Sequence, residues 1–155
     1  MNPPLQDEIK QTRGFGSLEQ EAFLGLGRTW ALLEHSISEA LKPHDITPTQ
    51  YNVLRILRGA GDDGLCRGEI VDRMIAQVPD ATRLLDRLQA ADLIVRQRSE
   101  EDRRFVTTRI TEAGLGLLDT LDGVVEALHA TQFEGVDPND LRTLIGLLDQ
   151  VRKRG

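Results

Sequence analysis

Residues 66–111, CRGEIVDRMIAQVPDATRLLDRLQAADLIVRQRSEEDRRFVTTRIT, constrain the fold of this chain more than any other stretch. Ile70, Val71, Met74 and Ile75 recur at helical spacing, and Ala81, Leu84, Leu85 and Leu88 do so again after Pro79. The pattern predicts a helix from about 67 to 76, a turn, and a second helix that takes Pro79 into its first turn and ends near Ala91. Residues 93–98 and 105–110 read as a pair of strands, the second with clear period-two alternation, and the polar run 99–104 between them predicts a hairpin tip rich in arginine. The order is a helix-turn-helix with a β-hairpin attached. A helix fits the major groove of duplex DNA, and an arginine hairpin beside it can reach the minor groove.

Net charge is −6, which taken alone argues against a nucleic-acid partner. The distribution says otherwise. Residues 66–110 hold nine arginines against eight acidic residues, a net +1. Residues 1–65 hold six basic and nine acidic residues, and 111–155 hold four and eight. The candidate reader is thus the one segment that is not acidic. All its cations are arginines, whose planar fork suits phosphate and guanine edges. The acidic remainder would oppose non-specific binding and favour a selective binder.

The flanks read as amphipathic helices. Residues 1–16 carry Pro3, Pro4, Gly14 and Gly16 and predict a loose arm or a short helix followed by a break. Ser17 can cap a helix over 18–42, with Phe23, Leu26, Trp30, Leu33, Ile37 and Leu41 on one stripe and Pro43 ending it. Thr47-Pro48-Thr49-Gln50 is a helix start with a capping box, and Val53, Leu54 and Leu57 supply its buried side. Residues 59–64, GAGDDG, predict a flexible loop. Thr111 can cap a long helix with Leu115, Leu118, Leu121, Val125 and Leu128 in register. Asp137-Pro138 opens a last helix with Leu141, Leu144, Ile145, Leu148 and Val151. Three long apolar stripes at the two ends exceed what a small winged core can cover. A two-fold dimer joined by its ends is the simplest solution, and an intramolecular helical bundle is the alternative.

The 155 residues predict one domain of mainly α, α+β class: a winged helix-turn-helix lobe at 47–110 flanked by dimerisation helices at 18–42 and 111–154. No apolar run approaches the ~20 residues that cross a bilayer. The start, MNPPLQDEIK, has no apolar signal core, and the single Cys66 excludes an internal disulfide. These features predict a cytoplasmic protein.

Five segments in register resemble the multiple-antibiotic-resistance regulator (MarR) family of winged-helix repressors. Thr47-Pro48-Thr49-Gln50-Tyr51-Asn52-Val53-Leu54 resembles that family's T-x-x-Q-x-x-V-L, and Glu69-Ile70-Val71-Asp72-Arg73-Met74 its E-I-A-x-x-L. Residues 78–88 resemble its recognition helix. Asp102-Arg103-Arg104 resembles its wing, and Ile110-Thr111-Glu112-Ala113-Gly114 the L-T-x-x-G that opens its dimer helix. The resemblance covers roughly residues 20–150. Ala91-Asp92 stands where the family commonly has Arg/Lys-Gly, and Ile110 stands for Leu.

The residues then take roles. Arg83 and Arg87, one turn apart on the outward side of the second helix, are expected at base edges or phosphates of the major groove, with Thr82 beside them. Asp80 and Asp86 would orient those arginines or accept from a cytosine amino group. The resemblance implies that Asp102 pairs with Arg104 and that Arg104 enters the minor groove, with Arg103 a second contact. Arg96 and Arg98 share one strand face and are expected to approach phosphate or support the wing. The family also implies a small aromatic or anionic effector in a cleft. Trp30, His35, Tyr51 and Arg55 are candidate lining residues, and ordinary core is the plain reading of Trp30 and Tyr51. Cys66 reads as a plain thiol, and the scattered His35, His44 and His129 give no metal spacing. No catalytic constellation stands out, so an enzyme is not expected. The expected function is a dimeric, sequence-specific DNA-binding transcriptional repressor, released by a ligand, that binds a palindromic operator and needs no cofactor. The alternative is a winged-helix protein-interaction module without DNA binding.

Overall fold

The structure, a computed structural model, describes residues 4–100, 102 and 104–153. The described elements are α1 (Leu5–Glu8), α2 (Leu18–Leu41), α3 (Pro48–Ala60), α4 (Arg67–Arg73), α5 (Ala81–Ala90), β1 (Ile94–Arg98), β2 (Val106–Ile110), α6 (Glu112–Gln132) and α7 (Pro138–Arg152). Single 3-10 turns occupy Lys42–His44 and Gly61–Asp63. The fold is mainly helical with one small antiparallel hairpin, as the sequence predicts.

Local chemistry sets the helix starts. Ser17 Oγ accepts the Gln20 N–H at 3.1 Å, and Thr111 Oγ1 accepts that of Gly114 at 3.1 Å. Asp137 Oδ1 accepts the Asn139 N–H at 2.7 Å. At α3 the capping box closes both ways: Thr47 Oγ1 accepts from Gln50 N at 3.2 Å, and Gln50 Oε1 accepts from Thr47 N at 3.0 Å. Each cap satisfies a first-turn donor that the helix itself leaves open, a stabilisation of about 1 kcal/mol.

The core forms where α2, α3, α5, α6 and the hairpin converge. Leu41, Leu54, Leu57, Leu88, Leu118 and Leu121 have no exposed surface, and Ile70, Leu85 and Ile94 join them. The hairpin pairs Ile94 with Ile110, Arg96 with Thr108 and Arg98 with Val106. Leu65 adds a one-residue third strand, exchanging hydrogen bonds with Thr108 at 3.0 and 2.8 Å. The approach is close enough to require glycine next door. Gly64 sits at φ +67°, and a Cβ there would stand 2.6 Å from the Thr108 carbonyl oxygen. Gly114 is needed for a different reason: a Cβ would stand 2.4 Å from the Leu93 carbonyl oxygen, where α6 leaves the hairpin.

Three local expectations are corrected. α4 ends at Arg73, not near 76, because Met74 turns extended (ψ 143°) and the Ile75 N–H is taken by Asn52 Oδ1 of α3 at 3.0 Å. Ile75 therefore leaves the core and is largely exposed. Pro79 precedes α5 instead of entering its first turn: Asp80 is the N-cap, its Oδ1 accepting the Arg83 N–H at 2.9 Å. The 59–64 segment continues α3 to Ala60 and then tightens into the 3-10 turn.

The ends differ from the middle. α7 has no buried residue, and Ile145, Leu147 and Val151 of its apolar face are open. Leu18, Phe23 and Trp30 of α2 are open too. Among the described residues, no helix is long and apolar enough to cross a membrane.

Candidate nucleic-acid interface and adjoining cavity

α5 is amphipathic in the sense the sequence predicts. Leu85 and Leu88 are buried, whereas Thr82, Arg83, Asp86 and Arg87 face out. Arg83 and Arg87 make no ion pair among the described residues. The two carboxylates nearby are committed elsewhere: Asp80 caps the helix through its own Oδ1, and Asp86 binds Arg96. Neither carboxylate bonds the Arg83 or Arg87 guanidinium, which corrects the part of the expectation in which they orient those arginines. Thr82 is exposed but its Oγ1 accepts from Arg67 Nη1 at 3.0 Å, tying the start of α4 to the start of α5. Arg67 had no sequence signal as a site residue, because its partner lies fifteen residues away.

The hairpin tip is built on Asp102. Its Oδ1 accepts from the Arg104 backbone N at 3.0 Å and from Arg104 Nε at 3.3 Å. Its carbonyl accepts the Phe105 N–H at 3.0 Å, and the Ser99 N–H reaches the Phe105 carbonyl at 2.9 Å. Arg104 is thereby aimed while its side chain stays 91% exposed. Arg103 lies outside the described residues. Arg98 is exposed. Arg96 is not free: its Nη2 donates to Asp86 Oδ1 and its Nε to Gln89 Oε1, both at 2.5 Å.

Behind the reader lies a cavity of about 440 Å³ between α2, α3, the α4–α5 connection and the end of α6. Trp30, Tyr51 and Arg55 line it, together with His129, Phe133 and Ile75. Arg55 stacks toward the Tyr51 ring (5.8 Å to the centroid) and donates to its Oη at 3.1 Å. His35 does not line the cavity and is exposed, a correction to the sequence expectation. The reason is helical phase. Trp30, Leu33, Glu34 and Ile37 all line it at spacings of three, four and seven, and position 35 falls on the other side. His129 and Phe133 were missed although they extend the α6 stripe by four and eight residues past Val125. The α6 end is anchored by Gln132 Nε2 donating to the Leu33 carbonyl at 3.1 Å. Asn52, which holds the Ile75 N–H, also lines the cavity, so its wall and the turn before α5 are one hydrogen-bonded piece.

Cys66 is half-buried at the start of α4. The Glu69 carboxylate accepts its backbone N–H at 2.8 Å, and this bond holds the Glu69 carboxyl below its ordinary range. Among the described residues no three His, Cys, Asp or Glu side chains are placed to hold a metal ion.

Comparison with known proteins identifies this arrangement. The family model described as "MarR family" matches residues 44–104, from the turn before α3 to the hairpin tip. An uncharacterized HTH-type transcriptional regulator of Bacillus subtilis, YkoM, is 30% identical over 139 residues, spanning 86% of this chain and 88% of that protein. The chain belongs to the MarR family. A second B. subtilis protein, the HTH-type transcriptional regulator MhqR, is 30% identical over 99 residues, 64% of this chain and 67% of that one. The crystal structure of a MarR transcription factor from Planctomyces limnophilus is 37% identical, with a TM-score of 0.69 over 88% of this chain and 99% of the other. A mutant of E. coli MarR complexed with operator DNA shares the fold at 24% identity, with a TM-score of 0.76 over 95% and 97% of the two chains. The helices and the β1–β2 hairpin of this MarR-family chain share the winged-helix fold of those structures. MarR-family members are non-enzymatic DNA-binding transcriptional regulators.

Proposed function

We propose that this MarR-family regulator acts as a two-fold dimer that binds a palindromic operator and represses until a small effector releases it. One observation carries the reading. Two unpaired arginines, Arg83 and Arg87, project from α5 on the outward side, and Arg104 projects from the hairpin tip with Asp102 holding its guanidinium. Arg83 and Arg87 would meet base edges or phosphates in the major groove, and Arg104, with Arg103 beside it in sequence, would enter the minor groove. Arg98 would approach phosphate from the hairpin face. A second chain supplies the second half-site about one helical turn away. The open apolar faces of α2 and α7 are what such a dimer would cover, with 18–42 and 111–154 as its dimerisation helices and 47–110 as the reading lobe of one domain.

The effector reading rests on the cavity. It is mostly apolar and aromatic; beside Glu34, Thr49, Asn52 and Gln132, its polar lining includes Arg55 and His129, which suit an acidic substituent placed away from Glu34. A Bordetella bronchiseptica relative, BpsR, has its DNA binding regulated by 6-hydroxynicotinic acid. A small aromatic or anionic compound would suit this cavity likewise, pressing on the wall that Asn52 shares with the turn before α5.

Selection of bound duplexes from a random-sequence pool tests the proposal. A two-fold symmetric motif is expected, with Arg83→Ala losing about 1–3 kcal/mol of specific binding on it. No enrichment at low salt would favour the protein-interaction alternative, and wild-type affinity of Arg83→Ala would remove that residue from the reader.

A further inference from the structure

Among the described arginines expected at DNA, Arg96 stands apart. Its side chain is 26% exposed, against 91% for Arg104. One guanidinium spans Asp86 and Gln89, residues three apart on α5, through Nη2 and Nε at 2.5 Å each. Its backbone lies opposite the buried Thr108, on the hairpin face where Ile94 enters the core. We propose that Arg96 is a positioning residue: it braces the wing hairpin against the recognition helix, so that the two reading arms are set relative to each other before DNA arrives.

The geometry supplies the lever. α5 and β1 are joined by only three residues, 91–93, with Asp92 in a left-handed turn at φ 56°. Leu93 fixes the base of the hairpin, its N–H on the Leu88 carbonyl at 3.0 Å and its carbonyl on the Thr111 N–H at 3.1 Å. Arg96 makes a second attachment about 10 Å further along the strand. Ile94 and the Leu65–Thr108 pairing seat the hairpin in the lobe, and Arg96 adds a side-chain tie from β1 to α5 itself, with Arg104 further along the hairpin. The brace also neutralises Asp86, a carboxylate on the outward face of α5 that would otherwise oppose phosphate.

This inference rests on the DNA-binding reading, and one experiment separates the two. The alternative is that Arg96 leaves Asp86 for a phosphate when DNA binds. The two accounts give opposite signs for Asp86→Asn. A brace that loses its carboxylate frees the wing, and binding to the selected duplex weakens although a negative charge has been removed. An Arg96 released toward phosphate makes Asp86→Asn bind more tightly. Full-length wild type, Asp86→Asn, Arg96→Lys and the double variant are titrated on that duplex by fluorescence anisotropy at several salt concentrations. The brace predicts that Asp86→Asn and Arg96→Lys each weaken binding by about tenfold, the scale of a coupled pair, with the double variant no worse than either. Lysine keeps the charge but not the planar fork that presents Nε and Nη2 to the two acceptors at once. The salt dependence stays at the wild-type slope, whereas loss of a phosphate contact lowers it by about one. Amide hydrogen exchange of the hairpin in the DNA-free protein is measured alongside, with faster exchange expected at Ser99 and Phe105 in both single variants. Tighter binding by Asp86→Asn, wild-type binding by Arg96→Lys, a lowered salt slope or unchanged hairpin exchange overturns the brace. If no duplex is bound at all, the DNA-binding reading fails while the exchange result still decides the brace.

Discussion

The middle of this chain and its two ends treat apolar residues in opposite ways. Between Leu41 and Val125 the stripes of neighbouring elements meet inside one chain, and Leu54, Leu57, Leu88 and Leu118 are wholly buried. α7 carries Leu141, Leu144, Ile145, Leu148 and Val151 at helical spacing and buries none of them. A helix of 15 residues with its apolar face in water is marginal by itself. The contrast separates two jobs that one pattern can do. The middle is a lobe that stabilises itself, and the ends leave apolar faces open, which under the proposed dimer a second chain would cover.

The sharpest way to break this comparison is to truncate one residue of each kind. Leu57→Ala, in the lobe, is expected to lose about 3 kcal/mol in urea unfolding, through lost transfer energy and a cavity. Ile145→Asp, at a site 59% exposed in the single chain, is expected to spare the lobe and abolish assembly, read as a halved sedimentation mass. Equal losses of monomer stability would erase the distinction.

Within the lobe, Gly114→Ala tests the close approach of α6 to the hairpin. The new methyl must displace the Leu93 carbonyl, and a loss of about 1–3 kcal/mol in the same assay is expected. A neutral result would mean that this junction gives way easily.

The contact between α3 and α6 is tested by pH. Arg58 of α3 donates to both Asp122 oxygens of α6, at 2.8 and 2.9 Å. That hydrogen bonding holds the Asp122 carboxyl below its ordinary value and raises the Arg58 guanidinium above its own. A depressed carboxyl adds stability that is fully present above its unfolded value and is lost as pH falls through its folded value. Wild type should therefore melt above Asp122→Asn near neutrality, and the gap should narrow once pH drops below about 4. A gap that does not change with pH would show that the ion pair does not contribute.

The smallest effect is expected at Asp92, which holds φ 56° at the turn between α5 and β1. Asp92→Gly should stabilise the lobe by no more than about 1 kcal/mol in thermal melts, because glycine adopts that turn without strain. A loss of stability would point to an unseen role for the carboxylate.

Much of the fold was legible because its signals are local. Ser17, Thr47, Thr111 and Asp137 each cap the helix that their sequence context predicts. What was illegible is tertiary. The apolar run Val71, Met74, Ile75 argues for a longer α4, and only the Asn52 side chain, 23 residues upstream, explains the stop. The Leu65–Thr108 bridge has no local pattern at all. The site divides in the same way. Arg83 and Arg87 face out because their helix phase says so. Arg96 shares a strand face with Arg98, and nothing in that alternation reveals Asp86 and Gln89 waiting on α5. His35 and His129 show the remaining margin: extending the α2 and α6 stripes by their own period would have dropped the first from the cavity and added the second.

Sedimentation velocity of the purified chain, diluted through the micromolar range, tests the two-chain account most directly. A single boundary at twice the 17.3 kDa chain mass is expected, collapsing to the chain mass in Ile145→Asp. A wild-type boundary at 17.3 kDa throughout would leave the open faces of α2 and α7 without a partner copy and would contradict the account.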